Sequence, residues 1–134
     1  MEDQLYDKFY EVEMAHWWFV GRRAIVMDWV NRASSNLFPY SRLLDVGCGT
    51  GANLKAFSTR CAAFGIDSST YAIECCWNRG LFWIASHRAL GEVLDSYHIV
   101  TILDVLEHVD NDVEMLIQAR KVLVPGGILL ITVP

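Results

Sequence analysis

The stretch "LLDVGCGTGANL" at residues 43–54 decides the fold that we predict for this chain. A short strand-like run that contains Asp45 leads directly into three alternating glycines, Gly47, Gly49 and Gly51. Glycine loses more conformational freedom on folding than any other residue, so this density indicates a tight turn or a backbone that closely approaches a ligand. Both interpretations stay open at this point, because Gly-x-Gly by itself is a weak signal.

Composition limits the class of protein. The chain has 134 residues, of which 53% are hydrophobic, and this suffices for one domain with a sizeable core. Its net charge of −5 argues against nucleic acid as a partner, because phosphate contacts need a basic surface. The sequence contains no apolar run of membrane-spanning length, no signal peptide pattern, and no cysteine spacing typical of disulfides or zinc sites. We therefore expect a protein of the reducing cytoplasm.

The order of the predicted elements indicates the fold class. Residues 1–33 carry two helical apolar patterns around the aromatic segment "HWWFVGRR" (16–23), and residues 34–41 have the composition of a connector. The predicted strands are 42–46, 62–66, 81–85, 98–103 and 128–133, and the predicted helices after the connector are 52–59, 70–79 and 111–124. This alternation predicts an α/β fold with a parallel sheet, in which residues 125–127 turn the chain into the last strand.

A carboxylate at the end of the second predicted strand narrows the kind of ligand. Asp67 lies 20 residues beyond Gly47, in the segment "FGIDSS". A carboxylate in this position can accept hydrogen bonds from both hydroxyls of a ribose. The alternative is a helix-capping role, which Ser68 or Ser69 could also perform. Strand, glycine loop, helix, strand and acid together predict a ligand that contains adenosine.

Charge distinguishes the two adenosine cofactors that suit such a loop. Asp45 stands two residues before the first glycine, and Asp104 ends the fourth predicted strand on the same edge of the sheet. Carboxylates at this edge would repel the pyrophosphate of NAD, whereas they would attract the sulfonium and ammonium groups of S-adenosylmethionine. We therefore predict S-adenosylmethionine as the cofactor, with an NAD-dependent oxidoreductase as the less favoured alternative.

Four segments resemble, in order, the motifs of class I S-adenosylmethionine-dependent methyltransferases: "LLDVGCGTG", "FGIDSS", "IVTILDVLEHVDN" and "LVPGGILLITVP". The segment "HWWFVGRR" is similar to one found in a bacterial and archaeal branch of that family. The resemblance implies a Rossmann-like three-layer sandwich with strand order 3-2-1-4-5. It also implies a single domain over residues 1–134, with an N-terminal helical cap (1–40) and a cofactor-binding core (41–134). The implied activity is methyl transfer to a small-molecule acceptor.

The resemblance also implies which residues bind the cofactor. Asp45, Gly47 and Gly49 would surround its methionine part, and Asp67 would bind the ribose. The cofactor carboxylate also needs a cation. The candidates are the adjacent Arg22 and Arg23 and the rival Lys55, from which we select Arg23. The full predicted set is Asp45, Gly47, Cys48, Gly49, Asp67, Ser68, Ser86, Leu103, Asp104 and Arg23.

Two departures from the family pattern carry expectations of their own. After the third strand the family has an acid that contacts the adenine, whereas residues 84–93 contain Ser86 and His87 at the corresponding step. The sequence ends at Pro134, before the antiparallel strands that complete the family's sheet. We therefore expect a truncated chain, with binding of the cofactor without turnover as an alternative function. The fifth strand would then be an exposed apolar edge, which favours self-association.

The sequence does not identify a catalytic residue. Methyl transfer from a sulfonium depends mainly on proximity and orientation, so no triad is required. His108 could act as a base or pack a helix start against the sheet. Asp104, Glu107 and His108 could bind a divalent metal, but this is the less favoured interpretation, and we predict no metal site.

Overall fold

A computed structural model describes residues 2–36 and 40–134 of the chain. The helices are α1 (Asp3–Val12), α2 (Trp17–Ser34), α3 (Ala52–Phe57), α4 (Thr70–Asn78) and α5 (Asp112–Val122). The strands are β1 (Arg42–Val46), β2 (Ala62–Ile66), β3 (Ala85–Ser86), β4 (Tyr97–Leu103) and β5 (Leu123–Thr132). Two short 3₁₀ turns cover Leu90–Glu92 and Leu106–His108.

In the part of the chain that the structure describes, five strands form one sheet in the order β3-β2-β1-β4-β5. All neighbouring strands are parallel. The central strand β1 is buried on both faces from Leu43 to Val46, since helices cover both sides of such a parallel sheet. The predicted α/β class, the Rossmann-like architecture and the strand order are confirmed.

Successive residues of each strand point to opposite faces of the sheet, and each face has its own core. Leu43 of β1 and Ile99 of β4 belong to the core beneath α2, α3 and α4, where Phe57 is fully buried. Leu44 and Val100 belong to the core on the other face, which α5 covers. The sheet between two helical layers makes the predicted three-layer sandwich.

Two strands differ from the sequence prediction. We predicted a third strand over 81–85, but β3 contains only Ala85 and Ser86. Phe82 and Trp83 are 63% and 93% exposed, so this apolar run does not mark a buried strand. We predicted the fifth strand from residue 128, but β5 begins at Leu123, and α5 ends at Val122 rather than at 124.

The segment that we predicted as a turn is a bulge inside β5. Tyr97 of β4 pairs with Leu123, and the regular ladder resumes where Ile99 pairs with Ile128. The β5 strand therefore carries three extra residues at this point, and Gly126 has a φ of +77° there. The bulge lets β5 stay paired with β4 over a greater length than the sequence predicted.

The N-terminal helices also differ from the prediction in their boundary. The aromatic segment 16–23 does not separate two helices, because α2 begins at Trp17. His16 is its N-cap, and the imidazole Nδ1 accepts a hydrogen bond of 3.3 Å from the backbone N–H of Trp18. Residues 37–39 of the predicted connector lie outside the described residues. None of the helices in the described ranges is long and apolar enough to cross a membrane.

Candidate functional site

The glycine loop connects β1 to α3 at the carboxyl edge of the sheet, and its three glycines serve different purposes. All three have positive φ: +73° at Gly47, +55° at Gly49 and +89° at Gly51. A Cβ at Gly47 would collide with Val105, and one at Gly51 would lie 2.9 Å from the sulfur of Cys76. At Gly49, no atom of the described residues lies within 4 Å of the added Cβ. Gly47 and Gly51 are therefore required by packing, whereas Gly49 borders open space that a ligand can enter.

Asp67 holds this loop from the end of β2. Its Oδ2 accepts a hydrogen bond of 2.9 Å from the N–H of Gly49, and its Oδ1 accepts one of 2.8 Å from the N–H of Ser69. The N–H groups of Gly47 and Cys48 donate to the carbonyl of Ile66. Each carboxylate oxygen has a second lone pair, so Asp67 can still accept hydrogen bonds from a ligand.

The helix-capping alternative for Asp67 is resolved by its neighbours. Ser69 is the N-cap of α4, because its hydroxyl accepts a hydrogen bond of 3.1 Å from the N–H of Ala72. Ser68 is exposed at the bend between β2 and α4. The Asp67 carboxylate is thus not needed as the N-cap of α4, and it serves the glycine loop.

Asp45 lies deep beneath the loop rather than facing the open space. Its carboxyl group is buried, and its Oδ1 accepts a hydrogen bond of 2.7 Å from the hydroxyl of Thr101 in β4. Burial raises the pKa of Asp45 to about 7, although the bond from Thr101 opposes the change. A buried carboxyl with a raised pKa repels a pyrophosphate less than an exposed one would, so Asp45 is weaker ground for choosing between the two cofactors than the sequence suggested. That Asp45 lies beside the methionine part of the cofactor stays a prediction.

A second cluster of polar side chains, formed by Asp104, Arg22 and Thr132, lies where β4 and β5 end. Asp104 has a φ of +53°, a conformation that non-glycine residues seldom adopt. Its carboxylate forms an ion pair with Arg22 of α2 and accepts a hydrogen bond of 3.0 Å from Thr132 of β5. Arg22 also donates to the Thr132 hydroxyl at 2.7 Å, and its guanidinium lies 5.2 Å from the ring centre of Trp18. Three distant segments thus meet at one strand end.

The structure separates the two adjacent arginines. Arg23, which we predicted as a cofactor-binding residue, donates to the backbone carbonyl of Glu13 at 2.6 Å. Arg22 is the one beside the strand ends. Helical geometry turns successive residues by about 100°, so neighbours cannot face the same partner. The sequence contained no signal for which arginine would face the sheet edge.

The other predicted site residues lie around the same edge. Ser86 ends β3, and its carbonyl accepts a hydrogen bond of 3.1 Å from the N–H of Asp67. Leu103 ends β4 and packs against the core beneath α2. Cys48 is buried, and the adjacent Cys76 thiol together with burial raises its pKa, so Cys48 is an uncharged packing residue.

The metal hypothesis finds no support in the described parts of the chain, where no group of three His, Cys, Asp or Glu side chains could hold an ion. Asp104 is engaged by Arg22, while the imidazole Nε2 of His108 lies 3.8 Å from Glu107. The His108 side chain is 72% exposed, so it does not pack a helix start against the sheet either.

Comparison with known proteins assigns this chain to a family. Residues 14–134 match the family model described as a methyltransferase domain. The chain belongs to this methyltransferase family, which confirms the family predicted from its motifs. A curated relative, the ubiquinone biosynthesis O-methyltransferase of Aeromonas salmonicida (strain A449), is 28% identical over 110 residues, covering 75% of this chain and 46% of that protein.

Solved structures agree with the fold. CalS10, an amino pentose methyltransferase from Micromonospora echinaspora whose structure contains bound S-adenosylmethionine, has a TM-score of 0.76 at 24% identity, covering 100% of this chain and 58% of that one. The [4+2]-cyclase SpnF has a TM-score of 0.65 at 27% identity, covering 81% of this chain and 43% of that one. The chain spans less than half the length of the curated relatives that it matches.

Proposed function

We propose that this chain binds S-adenosylmethionine at the glycine loop and forms the cofactor-binding part of a methyltransferase. The observation that carries the proposal is the open space at Gly49, which is bordered by the Asp67 carboxylate that accepts a hydrogen bond from the Gly49 N–H. The Cβ of any other residue would project into this space. Family membership of residues 14–134 supports the same assignment.

The residues of the edge suit the parts of this cofactor. Asp67 retains acceptor capacity for the ribose hydroxyls. Ser86, at the end of β3, is our candidate for the adenine side, and the backbone of Gly47 and Gly49 is our candidate for the methionine side. When bound, the cofactor would supply a methyl group activated by its sulfonium. The protein contributes proximity and orientation, and we assign no general base.

The acceptor that we propose is a small molecule. The Aeromonas relative is named as an O-methyltransferase of ubiquinone biosynthesis, which favours a small organic hydroxyl as the first acceptor class to test. A second candidate function is cofactor binding without methyl transfer. The similarity to a [4+2]-cyclase at 27% identity supports this second candidate, because the name of that protein describes a reaction other than methyl transfer on the same fold.

Three further expectations remain proposals. The first is the division into an N-terminal cap (1–40) and a core (41–134). The second is a cytoplasmic location, which the four buried free cysteines support, because reducing compartments keep thiols unpaired. The third is self-association through the outer edge of β5, which is the last strand of the described sheet.

A matched pair of substitutions tests the proposed site. Gly49→Asn and Gly80→Asn each place a side chain at a glycine with positive φ whose added Cβ meets no described atom within 4 Å. Asparagine tolerates this backbone conformation, so both variants should fold. We expect Gly49→Asn to abolish the binding of S-adenosylhomocysteine in titration calorimetry, and Gly80→Asn to leave it intact.

The outcomes separate the candidate functions. Undiminished binding by Gly49→Asn would mean that the loop is only a structural turn, which contradicts the proposal. Tight binding of NAD instead of S-adenosylhomocysteine would favour the oxidoreductase alternative. Tight binding of S-adenosylmethionine, with no release of S-adenosylhomocysteine across a panel of phenols and amines, would favour binding without transfer.

A further inference from the structure

Arg79, which caps the C-terminus of α4, joins three segments of the chain through one guanidinium group. Its Nε donates to the carbonyl of Thr50 in the glycine loop at 2.7 Å. One Nη donates to the carbonyl of Tyr10 in α1 at 3.1 Å and to the carboxylate of Glu13 at 2.6 Å. The guanidinium also lies 4.1 Å from the ring centre of Tyr10. An arginine fork can hold several acceptors at once in this way.

Glu13 completes the connection. The Glu13 side chain is 13% exposed and that of Arg79 is 7% exposed, so their charges are largely removed from water. The same Glu13 oxygen accepts a hydrogen bond from the hydroxyl of Thr50. Thr50 is therefore held at two points: its carbonyl by Arg79 at the end of α4, and its hydroxyl by Glu13 at the end of α1.

This pair and Asp67 hold adjacent residues of the glycine loop. Asp67 holds the N–H of Gly49, and Arg79 holds the carbonyl of the next residue, Thr50. Thr50 stands between two glycines in the left-handed region, where the backbone is otherwise soft. Hydrogen bonds to the N–H of Gly49 and to the carbonyl of Thr50 fix the direction of the peptide groups that border the open space.

Helix α1 is tied to the same neighbourhood at its first turns. Tyr6 of α1 is buried, and its ring centre lies 6.4 Å from that of Tyr71 in α4. The Tyr71 hydroxyl of α4 donates to Asp7 of α1. Helix α1 thus contacts α4 along its length, and the Glu13–Arg79 pair is where this contact reaches the glycine loop.

We infer that Glu13 and Arg79 are positioning residues, which transmit the docking of α1 to the glycine loop and so set the affinity for the nucleoside cofactor without touching it. This inference rests on the proposed function. The alternative is an ion pair that only stabilises the fold. The two roles predict different results, because only the loss of a positioning pair would alter the conformation of the glycine loop beyond any loss of stability.

A set of variants separates the two roles. In Glu13→Gln, Arg79 is left buried without a counter-charge, so we expect both lower stability and about tenfold weaker binding of S-adenosylhomocysteine. The double variant Glu13→Gln with Arg79→Met removes both charges. Replacing a buried ion pair by uncharged side chains is often neutral for stability. We therefore expect the double variant to recover stability but not affinity.

Hydrogen exchange gives an independent readout. The amides of α1 and of residues 49–51 should exchange faster in both variants, while those of β1 and β4 stay protected. The control is Asp28→Asn, which breaks the exposed Arg32–Asp28 ion pair of 2.8 Å on α2 and should change neither affinity nor exchange at the loop.

Each result decides between the explanations. If the double variant recovers affinity together with stability, or if loop exchange is unchanged in Glu13→Gln, the pair is only structural and the inference is wrong. A wild-type chain that binds no S-adenosylhomocysteine would contradict the proposed function instead. Loop exchange in the variants would still decide whether the pair positions the loop.

Discussion

Asp67 and Asp104 each follow a buried strand at the same edge of the sheet, yet their surroundings differ in kind. Asp67 accepts two backbone N–H groups, from residues 18 and 2 positions away. Asp104 is held by side chains from residues 82 and 28 positions away in the sequence, Arg22 and Thr132. The first acid organises a local loop, whereas the second joins the N-terminal helices to the last strand.

The largest effect that this comparison predicts is for Asp67→Asn. Its two oxygens face two backbone donors, so an amide would bring an NH₂ group against an N–H. Each hydrogen bond to a charged acceptor is worth roughly 1.5–3 kcal/mol. We expect at least a hundredfold loss of affinity for S-adenosylhomocysteine, measured by titration calorimetry. Asp28→Asn, the same change at an exposed carboxylate of α2, is the control, and wild-type affinity in Asp67→Asn would remove Asp67 from the site.

A smaller, pH-dependent effect is expected at Asp45, which lies in β1 between the two clusters. Its pKa is about 7 in the folded chain and about 3.9 in the unfolded chain. The folded state therefore binds the extra proton between these values, so this group's contribution to stability falls as the pH rises from about 4 to about 7. A tenfold difference in proton affinity between the folded and the unfolded chain corresponds to about 1.4 kcal/mol.

The variant Asp45→Asn should not lose this contribution. Its amide oxygen can still accept the hydrogen bond from Thr101. We expect urea unfolding to show that the stability of the variant relative to wild type increases between pH 5 and pH 8. A constant difference over that range would mean that the Asp45 carboxyl does not titrate there.

The smallest effect is expected for Arg22→Met at the second cluster. The side chains of Arg22 and Asp104 are 29% and 28% exposed, so water and salt screen the ion pair. We expect a loss of about 1 kcal/mol in the free energy of unfolding, and the difference should shrink in high salt. A loss that is large and independent of salt would show that the Arg22–Asp104 pair is not screened by solvent and contributes more to the fold than its exposure predicts.

The contrast between the two acids also explains what the sequence could predict. The loop, Asp67 and the boundaries of β1 and β2 are encoded within residues 42–67, so the pattern of that stretch predicted them. The contacts of Arg22 with Asp104, and of Glu13 with Arg79, join residues 82 and 66 positions apart. No local pattern encodes such meetings, because they depend on how α1 and α2 pack on the finished sheet.

The errors at the sheet edges have a different cause. We predicted β3 too early because "LFWI" (81–84) is an apolar run. In the structure this run precedes β3, and Phe82 and Trp83 are exposed in a turn. Strand β5 is longer than predicted because a strand can absorb "PGG" as a bulge. The pattern of apolar residues predicts which positions are buried. Since edge strands are only partly buried, the first and last residues of β3 and β5 were the least predictable part of the fold.

The bulge in β5 also changes what the outer edge of that strand offers to another chain. Pro125 has no N–H to offer an incoming strand, and the left-handed Gly126 interrupts the row of backbone groups. Of the ten residues of β5, the regular ladder beyond the bulge runs from Ile128 to Thr132. The outer edge of β5 therefore offers a short regular ladder rather than the long, flat template from which fibrils grow.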